Sequence, residues 1–499
     1  MKHLLALVVL VGWLVPTFAA DPATAPAKPN IVFILADDLG YGDCSAMPHH
    51  AEDIHTPNID SIASGGALFT NGYVSAPVCS PSRTGIITGR YQERFNKEAG
   101  WRNAMPARAT TIAEHLRDLG YATMMIGKND FGLHLAKDDR RYPINHGYDH
   151  VLGFDTHAHD YFELTHDIEE KAIRPHEGPS ANVGPLDFDK GTKDFPGGYT
   201  TDIFTNAAID FAKSNADEHK PFFIYLAYNN VHDLVEQSPK KYLDQFGLKP
   251  IPLYEPSMGS YLDYYHRYNT IGQYVNESDM RKYYLANLAS LDEHVGQVLG
   301  ALDKMGLADN MLVVFLSDNG AAVNSGGNST PLRGSKYTTF EGGIRAPLIV
   351  KWPGKIKPGR TIDDPAIALD LLPTFVEVAG GAIKPEEQLD GVSLLPRARG
   401  ISDESLSGRT LYWKFLKQWA IRRGDWKLVV ANQPRGKHVA WLITGPTSSE
   451  PQLFNLKDDP AEQKDVSKNR PEVVKDLTDA YKAWEARNGE WGTGEPGKY

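Results

Sequence analysis

A chain of 499 residues is too long for one small core, so a large domain with a smaller companion is expected. Its hydrophobic content of 41% is ordinary for a soluble globular fold. The formal charge of −11 excludes the basic footprint that nucleic-acid binding needs, and an anion site would have to be a local cationic pocket.

The chain opens with Lys2, an uncharged apolar run over residues 4–15, and the small residues Ala19 and Ala20. That pattern predicts a signal peptide over 1–20, and hence a secreted or periplasmic protein; the run is too short to span a bilayer. Residues 21–28 are rich in Ala and Pro and read as a linker. Continuous apolar runs follow at 30–36 (NIVFILA), 122–126, 222–227, 311–317 and 346–352, as expected of strands buried on both faces. Helical spacing lies between them at 111–119, 201–214 and 279–305. The first of these opens on a capping box, Thr111 to Glu114. Alternating strand and helix predicts an α/β domain over 29–408, a mostly parallel central sheet covered by helices on both faces. Beyond it, short runs at 410–415, 419–430, 438–443 and 452–456 and a helix at 471–487 predict a small antiparallel C-terminal α+β subdomain over 409–499.

Polar residues gather where these strands end. Asp37 and Asp38 follow the first, Lys128 the second, His232 the third, and Asp318 and Asn319 the fourth. In open α/β sheets ligands bind beyond the carboxyl ends of the strands, so these side chains are expected at one edge. Asp37, Asp38, Asp318 and Asn319 supply carboxylate and amide oxygens, which suit a hard cation. Cys44 and Cys79 are the two cysteines. They could form one disulfide, but Cys79 sits in a motif that argues for another fate.

That motif is Cys79-Ser80-Pro81-Ser82-Arg83, continued by Thr84, Gly85, Ile86, Ile87, Thr88 and Gly89. Pro81 suits the first position of a helix, with Cys79 at the positive end, where an anion is favoured. A second motif is Gly334-Ser335-Lys336, then Glu341-Gly342-Gly343-Ile344-Arg345-Ala346-Pro347. Over roughly residues 29–465 the chain resembles the formylglycine-dependent (type I) sulfatases, with the arylsulfatase and N-acetylgalactosamine-6-sulfatase branch nearest in character.

The resemblance implies an alkaline-phosphatase-like fold and hydrolysis of a sulfate ester on a carbohydrate. It implies that a maturation enzyme oxidises Cys79 to formylglycine, and that one Ca²⁺ is held by Asp37, Asp38, Asp318, Asn319 and residue 79. Arg83, Lys128 and Lys336 would surround the sulfate group, and His232 would stand beside the leaving oxygen; Lys128, His232 and Lys336 would bind substrate. One position departs. Where sulfatases commonly read Gly-Lys-Trp-His-Leu-Gly, this chain reads Gly127-Lys128-Asn129-Asp130-Phe131-Gly132. Asp130 is therefore expected to accept the proton that the family gives to histidine, or else to bind a sugar hydroxyl while His134 or water takes the proton.

Two other functions fit parts of the pattern. They are a phosphate or phosphonate ester hydrolase of the same superfamily, and a sulfated-glycan binding protein whose Cys79 stays unconverted. A polar insertion between His232 and Asn276 carries Tyr254, Tyr261, Tyr264, Tyr265, Tyr268 and Tyr274 with His266 and Arg267. It reads equally as a sugar-stacking surface or a self-packed loop. His157 and His159 are further candidates without assigned roles.

Overall fold

NIVFILA forms strand β1 (Asn30–Ala36), buried along nearly all its length. Successive side chains of a strand point to opposite faces, and here both faces are apolar. Ile31, Phe33 and Leu35 enter one hydrophobic cluster, Val32, Ile34 and Ala36 another. A computed structural model describes residues 28–95, 105–131, 136–166, 181–268, 277–402, 404–431 and 448–489. The expected signal peptide, nearly all of the linker, the expected strand at 438–443, His134 and Tyr274 lie outside the described residues.

Nine further strands join β1 in a ten-stranded sheet. They are β2 (Ala67–Phe69), β3 (Ala122–Lys128), β4 (His150–Phe154), β5 (Leu186–Phe188), β6 (Gly191–Lys193), β7 (Phe222–Ala227), β8 (Met311–Ser317), β9 (Leu348–Lys351) and β10 (Arg360–Ile362). Their order is β10-β2-β9-β8-β1-β7-β3-β4-β5-β6. The centre, β8-β1-β7-β3-β4, is parallel throughout. The flanks are mixed: β9 runs antiparallel to both β8 and β2, and β5 and β6 close the other side antiparallel. The run at 346–352 is thus a short antiparallel strand, a pairing that needs no crossover helix.

Helices α1 (Cys79–Thr88), α2 (Ile112–Asp118) and α5 (Leu371–Val378) cover the Phe33 face, and α3 (Thr200–Asp217) and α4 (Glu277–Lys304) the Ile34 face. The predicted cap of α2 is present: Thr111 Oγ1 accepts from Glu114 N at 3.2 Å, and Thr111 N donates to Glu114 Oε2 at 3.0 Å. Register fixes what matters for function. Ala36 lies opposite Ser317, Leu35 opposite Ala227, Ala227 opposite Gly127, and Lys128 opposite Phe154. The chain therefore leaves five parallel strands at one level and on one edge.

After residue 409 the chain builds a second, antiparallel sheet from β11 (Thr410–Phe415), β12 (Gln418–Arg423), β13 (Trp426–Ala431) and β14 (Ser448–Asn455). The helix α6 (Pro471–Glu485) packs against it. The single run expected at 419–430 is two strands, because Gly424 takes a positive φ of 56° and reverses the chain. Leu411, Trp413, Leu428 and Trp484 share one cluster with Tyr73, Phe340, Ile344 and Leu369, so the small sheet packs on the large domain through a continuous core.

In the polar insertion, Tyr254, Tyr261 and Tyr264 pack edge-on or tilted against one another with ring centroids 5.2 to 5.6 Å apart. Tyr261 also donates to buried Asp160 Oδ2 at 2.7 Å. These three tyrosines are self-packed. The side chains of Tyr265, His266 and Tyr268 are outside the described residues, and Arg267 is exposed.

Phe33 sits in the central strand with Tyr225 edge-on at 5.1 Å and Phe375 at 5.9 Å. Phe33→Ala is expected to destabilise the fold by about 3–5 kcal/mol, read from denaturant unfolding, because the ring leaves a cavity that parallel strands cannot close.

Candidate active site

The sheet's hydrogen bonding runs on past the strand ends and fixes the first acidic pair. Asp37 N donates to Asn230 O at 2.9 Å, Val231 N donates to Asp37 O at 2.9 Å, and Asp318 N donates to Ala36 O at 3.1 Å. Asp38 turns the chain with a φ of 65°, a conformation that Asp tolerates better than most residues. Cys79 is the first residue of α1, with Val78 as its cap. Pro81 is consequently the third helical residue, where the sequence pattern suggested the first. Its missing N–H is harmless there, because the first four amides of a helix have no intrahelical partner. Cys79 Sγ faces the acidic pair, 3.6 Å from Asp37 Oδ1 and 3.8 Å from Asp38 Oδ1. Cys44 and Cys79 are both buried free thiols.

Three buried cations interleave with the carboxylates. Arg83, one turn into α1, donates Nε to Asp318 Oδ2 at 2.8 Å and an NH1 proton to Lys128 O at 2.7 Å, with NH2 3.6 Å from Asp37 Oδ1. Lys128 Nζ lies 2.8 Å from Asp37 Oδ2 and 3.8 Å from Asp130 Oδ2. Lys336 Nζ is 2.7 Å from Asp38 Oδ2, and His232 Nε2 is 3.6 Å from the same oxygen. Asn319 Nδ2 donates to Asp38 Oδ1 at 2.7 Å, while Asp318 Oδ1 accepts from Asp38 N at 3.1 Å. Asp37, Asp38, Cys79, Arg83, Lys128, His232, Asp318, Asn319 and Lys336 thus enter one cluster, which Asp130 joins through Lys128.

Burial and charge act against each other here. Burial pushes Asp37 well above the usual carboxylate range despite Lys128. Against the same upward push, Arg83 and then Lys128 and Lys336 bring Asp318 down to about 2. Burial also drives the Cys79 thiol well above its ordinary value, against the pull of Lys128 and Lys336. His232 is pushed well below the imidazole range by burial, then by Lys128 and Lys336. An anion bound between the two lysines opposes that last effect.

One donor atom from each of Asp37, Asp38, Cys79 and His232 lies within 4.8 Å of the others, a buried group able to hold a metal ion. Asn319 Oδ1 is buried without a hydrogen-bond partner among the described residues and borders this group through Asp38.

Of two further contributors, His157 was a candidate without a role and Gln418 had no signal in the sequence. His157, beyond the end of β4, places Nδ1 3.1 Å from Asp130 Oδ2. Gln418, at the start of β12, donates to Tyr337 O at 2.8 Å and accepts from Thr339 N at 3.4 Å, gripping the loop that carries Lys336.

The sequence model of the family described as Sulfatase matches residues 29–382. The chain belongs to the sulfatase family. Sulfatases are sulfuric ester hydrolases, and this chain aligns with the arylsulfatase and N-acetylgalactosamine-6-sulfatase branch. Mouse arylsulfatase J is 30% identical over 490 residues, covering 90% of this chain and 75% of that protein. Dog N-acetylgalactosamine-6-sulfatase is 28% identical over 485 residues, covering 88% and 82%. A second model, N-sulphoglucosamine sulphohydrolase C-terminal, matches residues 335–486. Among solved structures, Ps i-CgsB in complex with k-i-k-neocarrahexaose superposes with a TM-score of 0.76 at 29% identity, covering 93% of this chain and 94% of that one.

Arg83 bridges two buried carboxylates. Arg83→Met is expected to destabilise the protein by about 3–5 kcal/mol in denaturant unfolding, because an unpaired buried charge remains. A change below 1 kcal/mol would show that Lys128 alone compensates both acids.

Proposed function

We propose that this sulfatase hydrolyses a sulfate ester on a carbohydrate, using formylglycine made from Cys79 by a maturation enzyme and one bound calcium ion, and that it is exported by residues 1–20. The observation that carries this reading is the convergence of Lys128, Lys336 and Arg83 with three carboxylates on Cys79 at a helix start. A carbohydrate substrate is supported by the similarity to Ps i-CgsB, a structure that holds neocarrahexaose, and to N-acetylgalactosamine-6-sulfatase.

The residues fit calcium. Asp37, Asp38, Asp318 and the unpartnered Asn319 Oδ1 offer hard oxygen donors, and residue 79 borders them. When bound, the ion supplies Lewis acidity toward a sulfate oxygen and acidity to a nearby hydroxyl. Formylglycine supplies, as its hydrate, two hydroxyls on one carbon where a serine has one.

This chain's own groups do the remainder. Lys128 and Lys336 bind the sulfate oxygens and stabilise charge that grows on them, and the guanidinium of Arg83 keeps Asp318 and the start of α1 in register. His232 donates a proton to the departing alcohol oxygen once the bound sulfate offsets the two lysines. Asp130 accepts a proton from a hydroxyl at residue 79.

Turnover of a sulfated chromogenic ester, with little on its phosphate or phosphonate counterpart, is the expected result. The reverse preference would make the protein a phosphate or phosphonate ester hydrolase. Cys79→Ala should abolish turnover while thermal unfolding stays close to wild type. Mass measurement should find the peptide bearing residue 79 lighter than its cysteine form; unconverted cysteine in an active enzyme would end the formylglycine reading.

Exhaustive chelation should remove activity, and calcium should restore it. Asp37→Ala should weaken calcium affinity more than about tenfold by titration calorimetry, since a charged oxygen donor is lost. Full activity in metal-free protein would reject the calcium assignment.

A further inference from the structure

Asp130 is fully buried, yet half of its carboxylate has no partner among the described residues. Oδ2 accepts from His157 Nδ1 at 3.1 Å and lies 3.8 Å from Lys128 Nζ, whereas Oδ1 is buried without a hydrogen bond. The backbone brings these groups together. Asn129 N donates to Phe154 O at 3.0 Å, tying the chain after β3 to the last residue of β4, and His157 lies three residues beyond that point. Asp130 itself takes a φ of 52°, in the left-handed region, which ends the strand.

An ionised oxygen out of water without a donor is costly, so Oδ1 calls for a group that arrives with maturation or with substrate. Lys128 is the cation proposed to hold the sulfate group. A carboxylate beside it repels sulfate oxygens and must therefore face a hydroxyl. An Asp anchored only through Lys128 would compete with the bound sulfate for that lysine. His157 supplies an independent anchor, and it is 19% exposed, at the margin of the site, whereas Asp130 is sealed.

We propose that His157 is a positioning residue for the sulfatase reaction: by holding Asp130 Oδ2 it turns Oδ1 onto the hydroxyl that loses its proton at residue 79. In that step the hydroxyl O–H bond would break and the proton would pass to Oδ1, leaving a neutral carboxyl still bonded to His157. The electron pair left on oxygen would form a carbon–oxygen double bond at residue 79, and the bond from that carbon to the sulfate oxygen would break, sulfate leaving with its electrons. Water takes the proton once sulfate has left. The pair also keeps Asp130 ready. Against the upward push of burial, His157 and then Lys128 lower its carboxyl to about 2, so the resting group is ionised. The inference rests on the sulfatase reading and on the acceptor role given to Asp130.

Four variants test it in the matured, calcium-loaded enzyme: His157→Ala, His157→Asn, Asp130→Asn, and His157→Ala with Asp130→Asn. His157→Ala should lower kcat by about 100-fold with KM within about threefold, the range a positioned proton acceptor commands. His157→Asn retains an N–H donor and should recover at least tenfold of that loss. The double variant should be no slower than Asp130→Asn alone. A readout independent of turnover is the Asp130 carboxyl carbon by ¹³C NMR in unconverted Cys79 protein. It should stay ionised down to pH 4 in wild type and begin to protonate above pH 4 in His157→Ala.

A wild-type kcat in His157→Ala would overturn the proposal, as would a double variant slower by the product of the two single losses. So would a tenfold rise in KM at unchanged kcat, which would make His157 a substrate ligand. An Asp130 carbon unmoved by His157→Ala would deny the coupling itself. A matured wild-type enzyme without activity on any sulfate ester would instead remove the sulfatase reading, a result none of the other outcomes can mimic.

Discussion

The site's organisation depends on neutralising carboxylates that have left water. Asp37, Asp38 and Asp318 are all buried at adjoining strand ends, where mutual repulsion and lost hydration would drive them apart or protonate them. Arg83 spans Asp318 and Asp37, Lys128 caps Asp37, and Lys336 caps Asp38. In the proposed reaction the two lysines among these cations would hold the sulfate group. On that proposal stability and function draw on one set of charges, and each lysine that gripped sulfate would loosen its hold on a carboxylate. A divalent cation among the carboxylates would relieve that conflict.

Delivering those charges is the task of the fold. Parallel pairing at matched register brings five strands out at one edge, and α1 aims its first residue at the carboxylates they carry. Lys336 comes from a longer connection and needs outside support. That support comes from the small sheet. Gln418 pins the backbone on both sides of Thr338, and Lys427 lies 2.9 Å from both Glu341 and Glu462 beneath the same loop. Burial and its neighbour Glu341 raise Glu462, while Lys427 and Arg345 lower Glu341 against burial, so the pair holds its cation with one acid favoured in the charged form. The C-terminal sheet is thus part of the scaffold that holds the Lys336 loop.

Much of this was legible because it is written locally. NIVFILA is apolar at every position after Asn30, and a strand covered on both faces is what accepts such a run at that length. Thr111 and Glu114 stand at the one spacing that closes a capping box, and they do close it. Cys79 and Arg83 are four residues apart, so a single helix turn brings both to the same face, where they meet Asp37.

The sequence by itself determined the central apolar strands β1, β3, β7 and β8 and the helices between them, that polar residues crowd the strand ends, and that Asp130 departs from a shared motif. Tertiary structure alone decided that the strand near 350 runs antiparallel and that a glycine turn splits the run at 419–430. It also decided that His157 answers to Asp130 across 27 residues and that Gln418 reaches the Lys336 loop from another sheet. The reason is the range of the forces involved. Periodicity and capping are set by neighbours a few residues away, and a sequence displays those neighbours directly. Which carboxylate meets which imidazole depends on strand order and register, fixed only when the two faces of the sheet find their cores.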